Sequence, residues 1–248
     1  MIRRIFEWDD AFTALCDRDV FGTRTMGYYH TYGTERGEVG FYAQYLDERC
    51  VGVLSDAFGS GALTAEPQAD FAEWRAFVQF LGLQTLLCDK TVAHAMGSDD
   101  ADSGAIMRYA ASANVPSAEG ISPCDASFSY REVYDLLRLC GFELGQYDAW
   151  LSDFALRVRR GAADVLCIRA DTTVAAASVL FRSDNAVYLG AVGTHPDYRG
   201  RGLAGNLVLR LTQCGKRAEI LCKSHRVTFY ESLGFRRNGE FTICHFSE

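Results

Sequence analysis

The stretch that most limits what this chain can fold into is residues 194–205, T-H-P-D-Y-R-G-R-G-L-A-G. An apolar run ending Val187-Tyr188-Leu189-Gly190-Ala191-Val192 precedes it, and Leu203, Leu207, Val208 and Leu211 follow at helical spacing. The pattern predicts a strand, a short glycine-rich turn and a helix start. A helix start carries backbone N–H groups without intrahelical acceptors and the positive end of the helix dipole. Gly200 and Gly202 remove the side chains that would hold a ligand away from those groups. An anion site for phosphate or pyrophosphate follows, with the charges of Arg199 and Arg201 beside it.

With 248 residues the chain has length for one large domain or two ordinary ones. No apolar run approaches the ~20 residues of a membrane helix. The start, Met1 to Asp10, turns acidic where a signal peptide would stay apolar, so a cytoplasmic protein without membrane attachment is expected. A net charge of −7 argues against a nucleic-acid surface and suits a cationic small molecule. The nine cysteines are odd in number, form no C-x-x-C pair and mostly lie in apolar runs. They read as buried free thiols rather than disulfides or zinc ligands, and no metal is expected.

Along the chain, two short helices are expected between Trp8 and Tyr32. Strands follow over residues 39–46, 50–55 and 62–65. Phe71, Trp74, Phe77, Val78 and Leu81 step by three and four, predicting a helix over 69–81 ended by Gly82. A strand over 83–88, an acidic loop over 97–104 and a strand over 105–110 complete this half. Residues 112–125, with Pro116, Gly120 and Pro123, lose periodicity and read as a connection.

Ser129 and Glu132 then have the spacing of a capping box ahead of a helix. A second helix starts near Asp148 and stops at Gly161. Strands over 164–169, 174–181 and 186–192, the glycine turn and its helix, a strand over 218–222, a helix over 226–233 and a strand over 241–246 follow. The two halves thus share one order of elements. The expectation is an α+β fold, with a mixed, largely antiparallel sheet flanked by helices, built twice in tandem: residues 1–111, a linker over 112–125, and residues 126–248. The halves differ at the turn. The first half has no glycine there and carries Glu66, Asp70 and Glu73 at its helix start, so the anion is assigned to the second half alone.

Gly200-Arg201-Gly202-Leu203-Ala204-Gly205 is literally G-x-G-x-x-G, the dinucleotide fingerprint. The context opposes that reading. A dinucleotide domain needs ~100 or more residues after the motif, the incoming strands are joined by short hairpins, and Glu219 falls too soon to hold a ribose.

Arg199, Gly202 and Ala204 instead fit a pattern of Arg or Gln, two residues, Gly, one residue, Gly or Ala. Downstream, Phe229-Tyr230-Glu231-Ser232-Leu233-Gly234-Phe235 resembles F-Y-x-x-x-G-F. With one helix and one strand between them, the two motifs resemble the GNAT superfamily of acetyl-CoA-dependent N-acetyltransferases over residues 126–248. The first half resembles it only in its order of elements.

The resemblance implies that Arg199, Gly200, Arg201, Gly202, Leu203 and Ala204 cradle the CoA pyrophosphate. Strand backbone at Val192 and Thr194 would pair with the pantetheine arm. Tyr230 would protonate the departing CoA thiolate, a role suited to a phenol protonated at neutral pH. The acceptor would be a small-molecule or peptide amine. Two positions depart from the family pattern, Lys223 and Arg226; Lys223 is retained as a CoA contact. The strand over 186–192 lacks the carboxylate that commonly serves as general base. A water, a residue of the first half, or an amine arriving unprotonated remain open, as does a CoA-binding sensor or interaction module without catalysis. His195, His225, His245 and Cys222 read as structural or solvent-facing residues, and Tyr28, Tyr29, Tyr32, Phe41, Tyr42 and Tyr45 as an aromatic core or an acceptor pocket.

Overall fold

A computed structural model describes residues 1–98, 102–110 and 128–246. The expected connection over 112–125 and the centre of the acidic loop lie outside the described residues. In chain order the strands and α-helices are β1 (Ile2–Arg4), α1 (Asp10–Cys16), α2 (Val20–Tyr32), β2 (Val39–Leu46), β3 (Arg49–Ala57), β4 (Ser60–Ala65), α3 (Phe71–Leu81), β5 (Thr85–Asp89), α4 (Lys90–Ala95) and β6 (Ser103–Tyr109). They continue with α5 (Tyr130–Leu139), α6 (Tyr147–Arg159), β7 (Asp164–Arg169), β8 (Thr173–Arg182), β9 (Ala186–Thr194), α7 (Leu203–Thr212), β10 (Arg217–Cys222), α8 (Val227–Ser232) and β11 (Phe235–His245).

The chain divides into two compact units. One is Met1–Met107 with Leu221–Val227 and Arg237–Glu248; the other is Arg108–Ile220 with Thr228–Arg236. The first unit therefore includes most of the last strand.

In the first unit β2, β3 and β4 form an antiparallel meander, α3 crosses over, and β5 returns parallel to β4. In the second unit β7, β8 and β9 form the meander, α7 crosses over, and β10 returns parallel to β9. The repeated order of elements is thus a repeated α+β fold, because in both copies a meander joined by short hairpins feeds a crossover helix.

Local chemistry accounts for the element boundaries. Asp9 and Asp19 cap α1 and α2 by accepting from Phe12 N and Gly22 N, at 3.0 and 2.8 Å. Helix α3 starts at Phe71, two residues later than the stripe predicts, because Asp70 caps it through Glu73 N at 2.9 Å. Gly82, at φ +67°, ends it in the left-handed conformation. The stripe buries Trp74 and Val78 completely against Leu54, Leu63 and Leu86.

Two elements were not legible in the sequence. Strand β1 pairs antiparallel with β2 at Ile2↔Gln44, and three residues are too few to show alternation. Helix α4 is one short piece capped by Asp89, which accepts from Thr91 N at 2.8 Å.

The expected capping box at α5 forms by half. Ser129 Oγ accepts from Glu132 N at 3.4 Å, but the Glu132 carboxylate accepts instead from Thr173 N (3.0 Å), Thr173 Oγ1 (2.8 Å) and Arg169 (3.0 Å). Three tertiary donors outcompete one local N–H. The final strand is longer than expected. Phe241 to His245 pair antiparallel with β5, from Phe241↔Asp89 to His245↔Thr85. Phe241 and Cys244 are buried there.

The eight described cysteines form no disulfide with one another, and Cys16, Cys88, Cys167, Cys222 and Cys244 are buried. Burial pushes the Cys16 thiol well above its usual range and the Cys50 thiol up to about 11, which leaves neither as a thiolate at neutral pH. No helix among the described residues is long and apolar enough to cross a membrane.

Candidate active site

The second unit builds the candidate site from one strand and the helix after it. Strand β9 is held by β8 along its whole length, through Ala175↔Thr194, but by β10 only as far as Leu189↔Ile220. Beyond Leu189 the β10 side of β9 has no strand partner among the described residues. Its backbone there can take an added extended chain.

The register shifts at that point. Ala176 pairs with Gly193 and Ser178 with Gly190, so Ala191 and Val192 together oppose Ala177. This is a β-bulge, and Ala191 sits at φ +49°, a conformation an L-residue occupies only at a cost. Gly193 lets α5 approach from one face: a Cβ there would lie 3.2 Å from Cys140 Sγ and 3.3 Å from Leu137 Cδ2. The pair of glycines around Ala191 and Val192 was the available sequence signal for this feature.

After β9, His195 caps a 3₁₀ turn, Pro196–Tyr198, by accepting from Asp197 N at 3.3 Å, and the glycine turn follows. Gly200 and Gly202 both have positive φ, +76° and +73°, and a Cβ on either would meet no atom within 4 Å. These glycines are required by backbone conformation and leave open space above the turn.

Helix α7 begins after Gly202 without a side-chain cap among the described residues. Asn206 is its first residue whose N–H finds a backbone acceptor, Gly202 O at 3.0 Å, so the N–H groups of Leu203, Ala204 and Gly205 have none among the described residues. An anion fits here: the donors are unused, the space is open, and the dipole has the right sign.

The two arginines brace the turn. Arg199 Nε donates to Thr194 O at 3.2 Å, and Arg201 donates to Asp197 O at 3.2 Å with its guanidinium 4.9 Å from the centre of the Tyr198 ring. Both remain exposed. Val192 and Thr194 are half-buried, and Thr194 O also accepts from Cys140 Sγ at 3.4 Å. Asn206 carries no sequence motif, yet it is buried on the first turn of α7. Its Oδ1 accepts from Arg210 at 3.2 Å and its Nδ2 has no hydrogen-bond partner among the described residues.

Tyr230, on α8, is buried at 7% exposure, edge-on to Phe229 and Phe235 with ring centres 5.0 and 5.7 Å away. Lys223 lies in the first unit, exposed just past β10, and is ion-paired with Asp102. Arg226 is exposed. His195 is half-exposed in its capping role. No group of His, Cys, Asp and Glu among the described residues has the arrangement of a metal site.

The carboxylates expected at the first unit's helix start have separate partners. Asp70 is the cap. Glu73 turns back to Ile2 N (2.9 Å), Gln44 (2.8 Å) and the Met1 amine (3.1 Å). Burial raises its carboxyl, but these bonds outweigh that and hold it below the usual range. Glu66 pairs with Arg18 and Arg49.

A splayed parallel strand pair, a bulge and an uncapped helix start behind a glycine turn define a class. Residues 162–237 match the family model described as an acetyltransferase (GNAT) domain. No curated protein matches the chain in sequence.

Solved structures resemble it over nearly its whole length, among them three described as acetyltransferases or GNAT proteins. A tandem GNAT protein from the clavulanic acid biosynthesis pathway has 15% identity and a TM-score of 0.61, covering 98% of this chain and 97% of its own. A GCN5-related N-acetyltransferase from Sphaerobacter thermophilus has 15% identity and a TM-score of 0.61, covering 98% and 94%. An acetyltransferase of the GNAT family from Colwellia psychrerythraea has 12% identity and a TM-score of 0.57, covering 100% of both chains. Residues 162–237 thus match a GNAT acetyltransferase domain, and the chain as a whole has the tandem GNAT fold.

Proposed function

We propose that the chain is an acetyl-CoA-dependent N-acetyltransferase that uses its second copy for the cofactor. The observation that carries this reading is the continuity of two open features: the β9 edge that β10 leaves after Leu189, and the uncapped start of α7 beyond the glycine turn. The N–H groups of Leu203, Ala204 and Gly205, with the backbone at Gly200 and Gly202, bind the pyrophosphate of acetyl-CoA. Arg199 and Arg201 hold the turn in shape and add positive charge.

Val192 and Thr194 offer backbone groups to the pantetheine arm as a strand would. An N–H of the Ala191 bulge donates to the thioester carbonyl and stabilises the charge that develops when an amine attacks it. Tyr230 donates a proton to the CoA thiolate as the carbon–sulfur bond breaks. The acceptor is a small-molecule or peptide amine, and the proton it loses goes to water or to a residue outside this set.

The burial of Tyr230 between two phenylalanines favours one alternative, a CoA-binding module in which Tyr230 is a core residue and no acetyl group moves. The two readings separate in one assay: release of free thiol from acetyl-CoA across a panel of polyamines, aminoglycosides and peptides. Amine-dependent release supports the enzyme. Tight CoA binding with no release for any acceptor supports the module.

A further inference from the structure

Where the second unit places its glycine turn, the first unit has Glu66, the residue after β4. Its backbone is fixed on both sides: Glu66 N donates to Val51 O at 2.8 Å and Glu66 O accepts from Ala69 N at 3.0 Å. The side chain, 11% exposed, receives donors on both oxygens. Arg18 donates to Oε1 at 2.6 Å, and Arg49 donates to Oε1 and Oε2 at 2.8 Å each. Gln68 Nε2 donates to Oε2.

These donors come from three places in the chain: the residue pair after α1, the start of β3, and the turn before α3. Two cations and an amide around one carboxylate exceed what one ion pair requires. Charged N–H donors thus reach both carboxylate oxygens, the chemistry by which proteins hold a free oxyanion. Both guanidinium groups are half or more exposed, so an ion in solution reaches them.

We propose that Arg18, Arg49 and Gln68 form a small carboxylate site whose occupant is the chain's own Glu66. The first unit's strand exit is then closed from within. Its turn carries a built-in anion, and its helix is capped by Asp70, whereas the second unit leaves both positions open.

Glu66→Ala removes the atoms of an acetate ion from this site. Melting of the full-length protein is followed as sodium acetate replaces sodium chloride at fixed ionic strength. The expected result for Glu66→Ala is a saturable rise of roughly 3 °C. None is expected for wild type or for Glu66→Gln, whose amide still fills the space, and Arg49→Ala in the Glu66→Ala background abolishes the rise.

An equal response in Glu66→Ala and wild type, or a response that survives loss of Arg49, overturns the proposal. If Glu66→Ala does not fold in chloride, refolding yield is compared in acetate and chloride, and equal yields overturn it. Gly202→Glu added to Glu66→Ala is expected to leave the rise unchanged, which keeps this test separate from that of the CoA reading.

Discussion

Leu233 lies against Gly205: its Cδ2 is 3.0 Å from the position a Cβ on Gly205 would occupy. Gly205 is in the first turn of α7, and Leu233 follows Tyr230 by three residues. The contact sets how closely the Tyr230 segment approaches the helix that begins at the glycine turn. Gly205→Ala gains helix propensity of about 1 kcal/mol and crowds only the flexible end of Leu233, so its stability stays within about 1 kcal/mol of wild type. Gly205→Val adds bulk where Leu233 packs and is expected to cost about 1–3 kcal/mol in urea unfolding.

Gly202→Glu tests the anion site. The substitution places a side chain at φ +73°, which costs an L-residue about 1–2 kcal/mol, and brings a like charge to the phosphates. CoA affinity measured by calorimetry should fall about 100-fold or more, and in Gly202→Ala, which carries only the strain, by about tenfold. Undiminished CoA affinity in Gly202→Glu would remove the anion site from α7.

Tyr230→Phe deletes one oxygen and keeps the ring between Phe229 and Phe235. If Tyr230 is the acid, kcat with a true amine acceptor falls by about 10²-fold or more while CoA affinity is unchanged. A kcat equal to wild type assigns Tyr230 to the core.

Deletion of residues 237–248 removes the strand that pairs with β5. Phe241 and Cys244 are buried in the first unit, and β5 would lose one side of its ladder. The loss is expected to exceed about 3 kcal/mol, the lower end for removing a buried Phe. Hydrogen exchange should show the amides of Thr85 to Asp89 losing protection. Unchanged protection there would mean that the first unit closes without β11.

Much of this was readable from short-range pattern. The stripe Phe71, Trp74, Phe77, Val78 and Leu81 specified α3, because side chains three and four apart share a helix face whatever surrounds them. The halves' common order of elements specified the repeated fold. The readings that failed or fell short involve competition between partners. Glu132 has capping spacing, yet its carboxylate goes to Thr173 and Arg169. Glu73 stands in a helix's first turn and reaches back to the chain's first residues.

The sequence by itself determined the glycine turn and its consequence, because positive φ at Gly200 and Gly202 and unused N–H groups at a helix start are local properties of a few consecutive residues. Only the tertiary structure decided that β11 pairs with β5, that β9 bulges at Ala191 where β10 leaves it, and that Glu66 meets Arg18 and Arg49. Each of those depends on groups far apart in the chain, whose encounter is chosen by packing and hydrogen-bond competition across the whole fold.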